Sequence, residues 1–365
     1  MNNSKKLKVK KVKVDRLIEQ KPITKISRPW IITAAILVVA LVGGLLFDQL
    51  YESTLFKINN EKYKLSDLAY YFYNVESEYN YYDQMFGGGG AYWDMSFDDE
   101  GTTVREQAKQ AAIDTAISSE ILYKEAVSAD YTLTDEEKET ISTNVTTLLD
   151  SQLTESVIKR NHFTKKSLTD VLTKTTLGAR YRQDKIDAFD IDDEAIKAGI
   201  NYDEYRQYDI EYLYISTQTT DEEGNTVALS DEEKTAAYDK INAVYESAKT
   251  SDDWSTLIAD DEEELTYQDT NFLESGTTFS EDFEKMMMGM ENDAVSEIYE
   301  DETGYYIVRM KDNDSSESYD TAVENAITTE ENKQFNALYE EIKAKYDIKK
   351  NEKAIKGLNM GSLTI

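Results

Sequence analysis

Thiol and imidazole chemistry is almost absent from this chain. It has no cysteine and a single histidine, His162, which sits between Asn161 and Phe163 and reads as a loop or helix-end residue. No HExxH or zinc-ligand spacing occurs, and Gly87–Gly90 is not followed by the Lys-Ser/Thr pair of a phosphate loop. Asp312-Asn313-Asp314 opens like a calcium loop, but the sixth position is not glycine and Val323 stands where the bidentate glutamate belongs. None of these residues calls for a metal or a cofactor. What remains is recognition by apolar surface. Phe279, Phe283, Met286, Met287 and Met290 fall at i, i+4, i+7, i+8 and i+11, on one face of a helix. Such a face grips an apolar ligand group or packs the core of a small domain, and both readings stand for Phe279 and Phe283.

Short strands must flank that helix. Val295, Ile298, Tyr306 and Val308 supply apolar strand positions around the turn Asp301-Glu302-Thr303-Gly304. Upstream, Asp209 to Ile215 alternates with period two, and a polar loop leads to a capping box, Ser230 to Glu233, that opens a helix to about residue 249. A shorter helix around Trp254 and a strand at Asn271-Phe272 complete a β-α-α-β-α-β-β order over 205–312. The preceding part is helical. A hairpin turning at Asn59-Asn60 leads to a helix with Ser66 as N-cap, running through Tyr70, Tyr71 and Tyr73 toward Tyr82. Gly87 to Thr103 reads as a mobile loop. Helices are expected at about 104–128, 134–160 (capping box Thr134 to Glu137) and 165–187, then an acidic joint at 190–201. A last helix is expected from the box Thr328 to Glu331, carrying Phe335, Leu338, Tyr339, Ile342 and Tyr346.

The order of residues in Phe283-Glu284-Lys285-Met286, Asp293-Ala294-Val295-Ser296 and Gly304-Tyr305-Tyr306-Ile307-Val308 resembles the C-terminal half of a parvulin-type peptidyl-prolyl isomerase domain. With a helical block in front, the chain resembles the PrsA- and SurA-like extracytoplasmic foldases. That resemblance implies an α+β protein: a mainly helical SurA-N-like chaperone domain (52–200), an inserted parvulin-like domain (205–312), and a C-terminal helix (317–350) packing on the chaperone domain. It also implies where a site lies. The family's two histidines fall on Tyr212 and Tyr306, its proline-cupping methionine and phenylalanine on Phe279 and Phe283, and its leucine on Thr270, beside Phe272. The family's Cys or Asp falls within the run Asp260 to Glu264, with Asp260 or Asp261 as candidates. Tyrosine titrates near ~10 and cannot behave as an imidazole at neutral pH, so weak or absent isomerase activity is expected, with the fold serving to bind peptide.

Charge divides the chain. Residues 1–29 hold ten basic and two acidic residues, net +8; the other 336 hold 30 basic and 70 acidic, net −40. Between these parts, Trp30 to Phe47 is an uncharged run of 18 residues, enough to cross a ~30 Å hydrocarbon core with slight snorkelling. A retained single-pass anchor is expected, with residues 1–29 in the cytoplasm and the acidic bulk outside, at the membrane of a Gram-positive-type cell. The acidic bulk argues against binding to nucleic acid, anionic lipid or polyanionic wall polymer by simple charge. The expected partners are unfolded or exported polypeptides.

Overall fold

Asn59 adopts a left-handed φ of 54°, the conformation a two-residue hairpin turn demands. The expected hairpin therefore forms, with Ile58 opposite Glu61. The computed structural model that shows this describes residues 51–258, 264–274, 276 and 279–365. The expected basic tail and membrane run (1–29, 30–47), and Asp260 and Asp261, lie outside the described residues. No helix among the described residues is long and apolar enough to cross a membrane.

The elements are β1 Thr54–Ile58, β2 Glu61–Lys64, α1 Leu65–Met85, α2 Val104–Ser128, α3 Asp135–Thr147, α4 Glu155–Arg160, α5 Lys165–Ile186, α6 Asp193–Ala198 and α7 Tyr202–Tyr205. They continue with β3 Gln207–Ser216, β4 Gln218–Thr220, β5 Thr226–Ala228, α8 Asp231–Ala248, β6 Leu265–Leu273, α9 Glu281–Met288, β7 Tyr299–Glu300 and β8 Gly304–Ser315. Last come α10 Glu317–Lys343, β9 Ile348–Lys350 and α11 Glu352–Lys356. The chain divides into two compact units, one running to residue 178 and resuming at 346–365, the other spanning 179–345. Of the stretch expected to pack on the helical domain, residues from 346 onward group with the first unit and α10 with the second.

In the first unit, β9 pairs antiparallel with β1, giving a sheet of order β2-β1-β9. The backbone of Asn59 donates to Asp347 O (2.7 Å) and its side chain accepts from Asp347 N (2.9 Å), so one turn residue fixes both partners. Leu55, Phe56, Ile58, Leu65, Leu68, Phe72, Ile113, Ile121 and Leu168 form fully buried core. Helix α1 starts one residue before the expected cap. The Asp67 carboxylate accepts from Lys64 N (3.0 Å), so Lys64 and not Ser66 is the N-cap. The expected helix 134–160 is broken by a wide turn at 148–152, and Thr154 caps a new start by accepting from Val157 N (3.3 Å). The loop expected to be mobile is pinned: the Asp83 carboxylate accepts from Gly90 N and Tyr92 N, and Trp93 is buried. Glu76, wholly enclosed, accepts from the amides of Leu363 (2.7 Å) and Thr364 (2.6 Å) and from the Thr364 hydroxyl.

In the second unit, β3, β6, β7 and β8 form an antiparallel sheet of order β6-β3-β8-β7. Alternation along β3 sends Leu213 and Ile215 to one face, where α8 and Trp254 cover them, and Tyr208, Ile210, Tyr212 and Tyr214 to the other, under α9. The box at Ser230 forms as expected, with Ser230 N donating to Glu233 Oε2 (2.8 Å) and Glu233 N to Ser230 Oγ (3.3 Å). The box expected at Thr328 does not form, because Thr328 lies inside α10. No glycine or proline interrupts Glu317 to Lys343, so helix propagation overrides a local capping pattern. Gly304 has a steric reason: a Cβ there would collide with the Ile215 carbonyl and the Tyr214 ring.

Candidate functional site

On the α9 face of this sheet the sequence brings aromatic rings together. Tyr212 stands opposite Val308 and Tyr214 opposite Tyr306, so the two family-histidine positions are neighbours on the diagonal, not a direct pair. Their rings lie 5.7 Å apart at 58°. Phe279, just before the Ser280 N-cap of α9, meets Tyr212 edge-on at 5.8 Å and Tyr306 at 6.1 Å. Phe283 lies 5.2 Å from Phe279 and 4.8 Å from Tyr306. Four of the residues that the resemblance assigns to a site thus converge.

Their exposures differ. Phe283 is 0% exposed and Tyr306 7%, whereas Tyr212 and Phe279 are half-buried. Phe283 lies beneath the face, while Tyr212 and Phe279 keep part of their rings at its surface. Met286, Met288 and Met290, partly buried, extend the rim. Thr270 sits exposed on the edge strand β6, opposite Ile210. Phe272 is buried and stacks on Tyr208 at 5.1 Å, at the far end of the same face.

The hydroxyls do not bridge Tyr212 to Tyr306. Thr303 Oγ1 is 2.7 Å from the Tyr306 hydroxyl and 2.7 Å from Asp301 Oδ1. The carboxylate can only accept, so Thr303 donates to Asp301 and accepts from Tyr306. Asp301 also receives the amides of Thr303 (2.8 Å) and Gly304 (3.1 Å), which closes the turn. Burial pushes the Tyr306 hydroxyl up to about 12, and burial likewise raises Tyr212. Both are neutral phenols at physiological pH, and the Tyr306 proton is already committed to the turn.

Sequence reasoning missed Tyr214, Tyr299 and Thr303. Tyr214 lies 4.7 Å from the Tyr306 ring and donates to Thr303 O (2.9 Å). Tyr299 stacks flat on Phe283 at 4.3 Å. The period-two pattern that marks Tyr212 also marks Tyr214; nothing local marks Tyr299. On the opposite face, Glu211 (3% exposed) pairs with Arg309 and accepts from the Tyr267 hydroxyl at 2.8 Å. Arg309 also donates to Ser251 O (2.7 Å) and Asp252 O (3.0 Å), over the Trp254 ring at 5.1 Å. The lone His162 lies beside Tyr51, with ring centroids 5.0 Å apart, in the first unit.

Residues 218–312 match the rotamase family of PPIC-type PPIase domains. The parvulin-type domain read from the sequence is therefore present, with Thr270, Phe272, Phe279, Phe283 and Tyr306 inside the matched span and Tyr212 on the strand just before it. No curated protein matches the chain. Solved structures that align with it include the foldase PrsA of Streptococcus pneumoniae (18% identity, 71% of this chain and 91% of that one, TM-score 0.28). Others are PrsA of Lactococcus lactis (14%, 83% and 96%, TM-score 0.30) and a chain from the SurA-like chaperones of Campylobacter jejuni (12%, 82% and 98%, TM-score 0.30).

Proposed function

We propose that this chain is a foldase of the exported-protein pathway that binds unfolded polypeptides, with a parvulin-type domain that grips peptide but contributes little isomerisation. In this reading residues 30–47 anchor it in the membrane, the basic tail is cytoplasmic and the acidic bulk faces outward. One observation carries the catalytic part: neutral tyrosines stand at both family-histidine positions, and the Tyr306 proton is held by Thr303 and Asp301. Turning an X-Pro bond means overcoming a barrier of ~18–20 kcal/mol by twisting the amide and withdrawing water from it. A phenol engaged elsewhere does little to polarise that amide. The rings of Tyr212 and Phe279 still offer a surface for a proline ring or other apolar side chain, and large amphipathic rings suit that task. No cofactor enters this chemistry. The test is suppression of aggregation of an unrelated unfolded protein by the full chain, with Tyr212→Ser/Phe279→Ser as the comparison. Weaker suppression by the variant supports peptide capture on this face. A chain that protects no unrelated client would instead be a scaffold for one dedicated partner.

A further inference from the structure

At the end of α1 the chain exposes apolar surface that neither core uses. Among the described residues, six of the nine exposed large hydrophobic side chains lie between Tyr81 and Phe97. Tyr81 is 63% exposed, Phe86 64% and Phe97 54%. Isolated exposed apolar groups are ordinary, but here Tyr81, Tyr82, Tyr92 and Phe86 touch in series, and a contiguous exposed patch is what an interaction surface presents.

The surface is held in shape. Phe86 lies parallel to Tyr92 at 5.4 Å and 2°, Tyr82 is 6.1 Å from Tyr92, and Tyr81 is 5.8 Å from Tyr82. Gly87 to Gly90 all take positive φ, between 70° and 98°, which turns the chain back so that Tyr92 meets Phe86. Asp83, 5% exposed, accepts from Gly90 N (3.0 Å) and Tyr92 N (3.1 Å), and the buried Trp93 anchors the next residue. Ordering these rings therefore costs a ligand little.

Charge selects the ligand. From residue 65 to 104 there is no lysine or arginine, and there are eight aspartates and glutamates. The next cation, Arg105, is paired with Asp94 at 3.0 Å. Asp99 and Glu100 stand exposed beside Phe97. We propose that this aromatic platform docks a cationic polypeptide segment carrying aromatic or aliphatic side chains. Lysine or arginine would meet the carboxylates and ring faces, and the apolar side chains the exposed rings. Anionic lipid and a second copy of the same surface are both disfavoured by like charge. The proposal borrows from the foldase reading only that the ligand is a polypeptide.

Fluorescence anisotropy of three labelled peptides with the full chain tests it: one alternating Lys with Phe and Leu, one with Glu for Lys, one with Ser for the apolar residues. The first should bind most tightly. Tyr81→Ser/Phe86→Ser/Phe97→Ser should weaken it by about tenfold or more. Asp99→Lys/Glu100→Lys should weaken it about threefold or more and flatten its salt dependence. The replaced side chains are exposed, and melting curves check that both variants fold. Equal binding of the Glu peptide, indifference to both variants, or binding to phosphatidylcholine or phosphatidylglycerol vesicles that the triple variant abolishes would overturn the proposal. Aggregation suppression on the same proteins separates the two readings. Platform-dependent peptide binding without suppression keeps the platform and sinks the foldase; suppression without platform-dependent binding does the reverse.

Discussion

Removing Arg309 should damage the second unit far more than neutralising its partner Glu211. Glu211 is 3% exposed and depends on Arg309 and the Tyr267 hydroxyl, so Arg309→Met strands a buried carboxylate. Breaking such a pair from one side costs about 3–5 kcal/mol. Glu211→Gln leaves Arg309 with the Ser251 and Asp252 carbonyls and the Trp254 ring, and leaves Tyr267 a partner, so about 1–2 kcal/mol is expected. With a urea slope of about 2 kcal/mol/M, the midpoint should fall by about 1.5–2.5 M for Arg309→Met and about 0.5–1 M for Glu211→Gln. The double variant carries no stranded charge, so its loss should fall short of the sum by about 1–3 kcal/mol. Trp254 fluorescence in a Trp30→Phe/Trp93→Phe background reports this unit selectively, since the chain has three tryptophans. Equal and additive losses would refute the reasoning and make the pair an ordinary surface contact.

Three further outcomes are expected. Glu76→Ala removes the acceptor of two buried amides and a hydroxyl, so hydrogen exchange at Leu363 and Thr364 should lose protection and the first unit about 3 kcal/mol of stability; unchanged protection would contradict this. The Tyr306 hydroxyl is raised to about 12 against the ordinary ~10, so between those values the unfolded state binds fewer protons and stability falls as pH rises. Its contribution is complete below pH ~10 and lost by pH ~12, so Tyr306→Phe should shallow the alkaline decline in Trp254-detected midpoints. Gly304→Ala forces a methyl against the Ile215 carbonyl and Tyr214 ring, and should cost about 1–3 kcal/mol and shift the ring-current pattern of Tyr214 and Tyr306 in NMR spectra.

What was legible in the sequence followed from local rules. The Asn59 turn, the period-two strand at 209–215 and the boxes at Thr134 and Ser230 all form, because each is settled by residues within a few positions. The aromatic cluster was legible through the family order, which placed Tyr212, Phe279, Phe283 and Tyr306 before any strand register was known. What escaped depends on distant partners. Nothing near Ile348 signals that it pairs with Ile58, and nothing near Glu76 signals Thr364. The box at Thr328 misled because a local cap yields to an uninterrupted helix. The glycine run read as mobile for want of any view of Asp83 and Trp93 holding it. The diagonal offset of Tyr212 and Tyr306, and the capture of the Tyr306 proton by Thr303, need register and turn geometry that spacing does not supply.

The central claim is that this parvulin-type face holds polypeptide without turning it over well. A protease-coupled isomerase assay of the full chain on a panel of X-Pro peptides, beside aggregation suppression on the same preparation, tests it most directly. Phe279→Ala is the informative variant, because Phe283 is fully enclosed and its loss would collapse the core. The account predicts clear suppression with isomerisation near the uncatalysed rate. Rapid isomerisation that Phe279→Ala abolishes would contradict it and make the chain an enzyme despite Tyr212 and Tyr306.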